Sequence, residues 1–409
     1  MVFMLTTAIL GVFCAQDLFL FFMFWELELI PMYFLISIWG SGRAQYSAIK
    51  FVLYTLAGSV FMLAAILLIY FSYYKATGKL TFDIHLLSQF SAYPMLIQLL
   101  AFIGFFIGFS VKLPTVPFHT WLPDAHVDAP TPISMILAGI LLKMGGYGLI
   151  RFNVGMLPEV LKICAPYIAI FAVINILYGA MVAFSQKDMK KLIAYSSVSH
   201  MGIVLLGIAA LNAPGLNGAM FQMLAHGVIS AGLFMMVGTF YVRAHTRNIS
   251  DFGGLAYQVP VLSSYFIFFG LAGLGLPLLI GFAAETMAFY GAYISTAFSH
   301  INLFGLNLPV SIQIMTVLGV IGIIITAAYI LTLIERVLFG TMFEKWKEIE
   351  DARYHETFVL TMLSLVILIF GCYPIGLTHL FEPTLTKIIN SKTSVVAILP
   401  DCNVKGVSK

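Results

Sequence analysis

The chain has 409 residues, 61% of them hydrophobic and only 10% charged. A soluble domain keeps roughly a quarter of its residues charged, so water is excluded as the solvent for most of this surface, in line with a mean hydropathy of +0.99. The net charge of +3 says little by itself, and nothing in the sequence reads as a nucleic-acid patch, a P-loop or a dinucleotide fingerprint.

Helices of about 20 apolar residues cross the hydrocarbon core, and such stretches recur almost without pause. In chain order the expected spans are 17–39, 48–72, 94–113, 130–151, 164–184, 191–211, 216–241, 259–298, 311–338 and 357–380. Residues 1–14 are too short to cross and read as the remnant of a span. The 259–298 stretch is too long for one ordinary crossing, and Gly273, Gly275, Pro277 and Gly281 interrupt it, so a single broken helix is expected there. Residues 381–409 read as a polar tail. The fold class is all-α, a polytopic bundle forming a single membrane domain. Long continuous apolar runs argue against a strand barrel, which alternates over about ten residues. Cys14, Cys164, Cys372 and Cys402 form no C-x-x-C pair, which argues against an iron–sulfur or zinc site and against a disulfide framework.

With that layout one side of the membrane receives Arg43, Lys50, Lys187, Lys190, Lys191, Arg243, Arg247, Arg336, Lys345, Lys347 and Arg353. The other receives Lys75, Lys79, Arg151 and Lys162, with the tail set apart. The positive-inside rule makes the first side cytoplasmic, or its organellar equivalent.

Few charges remain for the apolar stretches: Lys112, Lys143, Glu26, Glu28 and Glu285. A charge at the bilayer centre costs roughly 2.5–3.5 kcal/mol even on the lenient insertion scale. Such residues persist where they face protein or water, and they usually serve an ion path. Lys112 precedes Pro114 and Pro117, which break a helix and free backbone carbonyls; snorkelling to the interface is its plainer reading. Lys143 is mid-span among small residues, either on a path or in a structural ion pair. Glu26 and Glu28 point to different faces of a helix, so one of them can pair with a lysine. Glu285 follows the second break, at Leu276-Pro277. Two breaks, each beside an ionisable residue, suggest two inverted repeats, 17–151 and 164–338. His200 and His226 can relay protons, ligate a haem, or simply be hydrogen-bonded core groups. Tyr195, Ser196, Ser197 and Ser199 either hold water or pack helices, and Asp188–Lys191 reads as an interfacial loop.

Phe24-Trp25-Glu26-Leu27-Glu28-Leu29-Ile30-Pro31-Met32-Tyr33, the 111–126 stretch ending Trp121-Leu122-Pro123-Asp124-Ala125-His126, the 137–147 stretch, and Leu192-Ile193-Ala194-Tyr195-Ser196-Ser197-Val198-Ser199-His200-Met201-Gly202 resemble the antiporter-like, proton-pumping subunits of respiratory complex I. The nearest type is subunit 4 (chain M), including its cyanobacterial and plastid NAD(P)H-quinone oxidoreductase relatives. The resemblance runs from Gly11 to Tyr373.

It implies a proton-translocating membrane subunit without cofactors of its own. NAD(P)H or ferredoxin, FMN, iron–sulfur clusters and quinone are then expected in other subunits of the complex. Neighbouring antiporter-like subunits and the lipid bilayer are the implied partners, in a bacterial cytoplasmic or thylakoid membrane, with the mitochondrial inner membrane as a further setting. The residues matching the family's path are Glu26, Lys112, Lys143 and Glu285, with His200 and His226 as relays. Glutamate at the last position favours subunit 4 over subunit 5, where lysine is usual. Glu28 resembles the photosynthetic branch. Members of the family carry additional helices before the first span, so an N-terminally short chain is expected. They are also richer in glycine where this chain has Leu278-Leu279-Ile280, which predicts a stiffer break beside Glu285. The rival readings are a subunit of a multisubunit Na+/H+ antiporter and the membrane arm of a membrane-bound hydrogenase.

Overall fold

The computed structural model describes residues 1–303 and 306–390. Its helices, in chain order, are α1 (Val2–Cys14), α2 (Leu18–Leu27), α3 (Leu29–Trp39), α4 (Ala44–Thr77), α5 (Ile84–Gln89), α6 (Met95–Lys112), α7 (Trp121–Asp128), α8 (Thr131–Ile136) and α9 (Leu142–Gly148). They continue with α10 (Pro158–Phe184), α11 (Met189–Ala209), α12 (Ala213–Ala244), α13 (Pro260–Gly273), α14 (Ile280–Tyr293), α15 (Ile312–Leu338), α16 (Tyr354–Cys372) and α17 (Ile375–Asn390). A short antiparallel pair, Ile301–Leu303 with Leu306–Leu308, is the one sheet among the described residues. Nine helical stretches in this region are long and apolar enough to cross a membrane.

Polar caps set where spans begin. Asp17 accepts hydrogen bonds from the amides of Phe19 and Leu20 at the start of α2. Asp188 does the same for Lys190 and Lys191 at α11, and Asn212 for Gly215 at α12. Each cap satisfies amides that a first helical turn leaves open. The most enclosed spans are α11 and α12, whose neighbours include α7, α8, α10, α13, α14 and α17.

The two sides expected from the basic residues are physically distinct. On the basic side the Ser41 amide bonds the Asp128 carbonyl (2.8 Å), Met189 bonds Arg247 (3.0 Å) and Gly254 bonds Phe339 (2.9 Å). On the other, Leu18 bonds Phe82 (2.9 Å), Ser295 Oγ bonds Ala210 (2.6 Å) and Arg151 Nη2 bonds Gln16 (2.8 Å).

Both expected breaks are present, between α6 and α7 and between α13 and α14. The first is lined by exact partners for the backbone groups that the prolines free. Trp121 Nε1 donates to the Val111 carbonyl at 2.8 Å, and Asn175 accepts from the Val116 amide (2.7 Å) while donating to the Pro114 carbonyl (3.2 Å). Non-helical backbone within a membrane requires such burial in protein.

The last expected span differs. Helix α16 ends at Cys372, and α17 is a separate helix running to Asn390, because Pro374 cannot continue the ladder. The first residues of the expected polar tail are therefore helical, and 391–409, with Cys402, lie outside the described residues. Helix α16 is tied to α12 by Arg243, whose guanidinium forks onto Glu356 at 3.0 and 2.7 Å and also donates to the Glu350 and Asp351 carbonyls. Both side chains are largely buried. Replacing Arg243 by Ala should destabilise the docking of α16 by about 3 kcal/mol, since it strands a buried carboxylate, and Arg243→Lys should recover only part, having no fork. Faster hydrogen exchange across α16 is the readout.

A buried line of ionisable residues

The candidate site is built on the breaks and on two locally underwound turns. Between α8 and α10 the helix carries π-turns at Leu137–Leu141 and Leu149–Val154, on either side of α9 and Lys143. Such π-turns free carbonyls, and Lys143 Nζ donates to one of them, that of Ala138. Gly145 lets α9 lie against the end of α6: a Cβ there would meet the Leu113 amide nitrogen at 2.6 Å and the Phe109 carbonyl oxygen at 2.7 Å. The two buried lysines are thereby carried on helices in backbone contact.

Lys143 is buried, and its Nζ sits 2.7 Å from His226 Nδ1. The His226 ring lies 5.6 Å from the His200 ring, centroid to centroid. His200 Nδ1 is 3.5 Å from Glu285 Oε1 and 3.3 Å from Gln222 Nε2. Ser196, Gln222, His226, Ser230 and Glu285 line a cavity of about 20 Å³ beside His200, room for a water and little else. Four of the six expected residues, Lys143, His226, His200 and Glu285, thus form one continuous line.

The other two behave differently. Lys112 is fully buried, which removes the snorkelling reading, and it forms an ion pair with Glu28 rather than with Glu26. The sequence left open which of the two acids pairs with a lysine, and the structure places Glu28 there. Pro31 has no N–H for the Leu27 carbonyl, so the hydrogen-bond ladder is interrupted at Glu28 between α2 and α3, while Glu28 keeps helical dihedrals (φ −69°, ψ −23°). Glu26 is half-buried, beside Ser59, and within electrostatic reach of Lys112. No hydrogen bond joins Lys112 to Lys143 among the described residues.

Sequence reasoning left out four side chains that the structure places on this line or at its mouth. His126 is fully buried, stacked on Phe234 at 4.5 Å with neither ring nitrogen hydrogen-bonded, and lies in the fields of Lys143 and Lys190. His119 is buried likewise, against Tyr178. Gln222 bridges toward His200. Lys190 is buried, not interfacial: its Nζ donates to the Ala129 carbonyl at 2.6 Å, next to a cavity of about 130 Å³ that Arg247 and Tyr241 also line. The Asp188–Lys191 loop is therefore a cap plus a buried cation. His119 and His126 stand in the motif after the α6 break, and their seven-residue spacing was the available signal. Of the serines, Ser196 faces the cavity while Ser199 bonds the Ile176 carbonyl (2.9 Å) and packs helices.

The break beside Glu285 is strained rather than crowded. Leu278 has a φ of +73° and its side chain points outward, 69% exposed, so its bulk does not fall on Glu285. Gly275, at φ +80°, touches it instead: a Cβ there would sit 2.7 Å from Glu285 Oε2. Gly275→Ala should lower thermal stability by about 1 kcal/mol or more and move Glu285 off His200. Leu278→Gly, relieving the left-handed leucine, should do neither. Melting curves and pumping assays on the pair of variants separate strain from contact.

With this geometry in hand, a family model described as "NADH:quinone oxidoreductase/Mrp antiporter, TM" matches residues 15–308. The chain belongs to that family. It is 46% identical over 388 residues to NAD(P)H-quinone oxidoreductase chain 4 2 of Thermosynechococcus vestitus, covering 94% of this chain and 70% of the relative. It is also 46% identical over 391 residues to the chloroplastic NAD(P)H-quinone oxidoreductase chain 4 of Chlorokybus atmophyticus, covering 95% and 72%. Among solved structures, a chain of respiratory complex I from Thermus thermophilus with bound NADH superposes with a TM-score of 0.84 at 30% identity, over 94% of this chain and 78% of that one. Membership of the antiporter-like family fits a multi-pass helical chain whose buried charges are held in protein.

Proposed function

We propose that this chain is a proton-translocating membrane subunit of an NAD(P)H (or ferredoxin):quinone oxidoreductase, related to chain 4. The observation that carries the reading is the unbroken series Lys143, His226, His200, Glu285, within hydrogen-bonding or one-water reach from step to step. Amine, imidazole and carboxylate in that order can each hold and release a proton, and neighbouring charges bias which one does. Lys112 with its carboxylates sits at the other end, coupled to Lys143 through the α6–α9 contact. The two broken helices play corresponding parts in two inverted repeats, one placing Lys112 and the other Glu285.

The residues of this chain move protons and hold charge; electron transfer belongs to partner subunits carrying FMN, iron–sulfur clusters and the quinone site. Neighbouring antiporter-like subunits would abut it in the membrane arm, in a bacterial cytoplasmic or thylakoid membrane. The test is to purify the chain with its bound partners from native membranes and reconstitute the assembly in vesicles. Quinone reduction should acidify one compartment in sodium-free buffer. Partners lacking redox centres, with sodium-dependent exchange and no electron transfer, would replace this reading with the antiporter one.

A further inference from the structure

We propose that Glu28 is the resting counter-ion of Lys112 and that Glu26 is a second carboxylate to which the same ammonium turns, making a three-membered switch at this end of the line. The proposal rests on the pumping role above. Glu28 and Lys112 are both fully buried and ion-paired, while Glu28 Oε2 has no hydrogen-bond partner. Glu26 Oε1 is likewise buried and unpartnered, and Glu26 lies in the field of Lys112.

Residues two apart on an unbroken helix face different sides. Here the helix is interrupted at Glu28, between α2 and α3, and both acids address the Lys112 end of α6, Glu28 by its ion pair and Glu26 through its field. The Lys112 ammonium is held over Phe51 at 5.0 Å and Trp25 at 5.5 Å, two π-faces that favour a cation without fixing it to either acid. Ser59 of α4 hydrogen-bonds Glu26. Asp124 is engaged separately, by Lys50 at 2.7 Å and Arg43 at 4.0 Å.

Two carboxylates facing one ammonium leave a net negative charge unless one acid is protonated, and an unbalanced buried charge is costly. The neutral resting set is Lys112 ammonium, Glu28 carboxylate and Glu26 carboxylic acid. When Lys112 turns to Glu26, the Glu26 proton passes to Glu28; one ammonium, one carboxylate and one acid exist before and after. The switch therefore has two neutral positions differing only in where the charge pair lies, which is the difference that Lys143 would sense.

The test uses the intact complex with Glu28→Gln, Glu28→Asp, Glu26→Gln, Lys112→Met and the Lys112→Met/Glu28→Gln double variant, reading assembly, quinone reduction and pumping across pH. Glu28→Gln should cut pumping at least about tenfold, Glu28→Asp should restore part of it with a shifted pH profile, and the double variant should pump no worse than Lys112→Met alone. If Glu28→Gln fails to assemble, the double variant should assemble, because no unpaired cation remains. Glu28→Gln pumping at the wild-type rate with an unshifted pH profile would overturn the proposal. So would a double variant that fails to assemble as Glu28→Gln does, since Glu28 would then serve packing alone. Absence of pumping by the wild-type complex would instead strike at the functional reading itself.

Discussion

Replacing Lys112 by methionine should lower the amount of assembled complex and its melting temperature, with a loss on the order of 3 kcal/mol in this subunit. The Glu28 carboxylate, fully buried, loses its only ion-pair partner among the described residues. With Glu28 Oε2 already without a hydrogen-bond partner, the charge must either stay unpaired or take up a proton. Methionine matches the length of the lysine stem and fills the same space, so packing loss is small and the electrostatic loss dominates. Quinone reduction in what does assemble should no longer drive pumping. Equal stability of variant and wild type by thermal melting would show that the buried pair contributes nothing to the fold.

His226→Phe should leave the fold nearly intact and cost pumping about a hundredfold, the scale of one lost general acid–base group. The ring is kept in shape, but Nδ1, which takes the 2.7 Å contact from Lys143, disappears. Among the described residues, His226 is the side chain hydrogen-bonded to Lys143. His226→Gln, which can still accept from Lys143, should retain more activity than the phenylalanine variant. Dye-reported acidification by vesicles, normalised to quinone turnover, distinguishes the two; equal pumping by both variants would remove His226 from the path.

Most of the fold was legible in the sequence because bilayer thickness fixes span length and prolines mark breaks. The spans 48–72 and 164–184 widen into α4 and α10 without changing place, and both breaks fall where Pro114, Pro117 and Pro277 put them. The buried positions of Lys143, His200, His226 and Glu285 were legible for a related reason: ionisable groups are rare enough in these stretches that each one stands out. The identity of the Lys112 partner was not. Glu26 and Glu28 are chemically alike, and which of them pairs with Lys112 on α6 is a tertiary fact invisible to helical spacing. Lys190 was misread because a lysine at a span end is ordinarily solvated, whereas here carbonyls at the end of α7 receive it. His119 and His126 escaped notice inside a motif whose tryptophan and prolines already explained its presence.

The central claim is that charge on this buried line carries protons driven by electron transfer elsewhere. The most direct measurement is the number of protons translocated per quinone reduced, in vesicles holding the intact complex with Lys143→Ala. The account predicts an assembled complex whose proton-to-quinone ratio falls well below that of the wild type. A ratio equal to wild type, at full assembly and turnover, would contradict it.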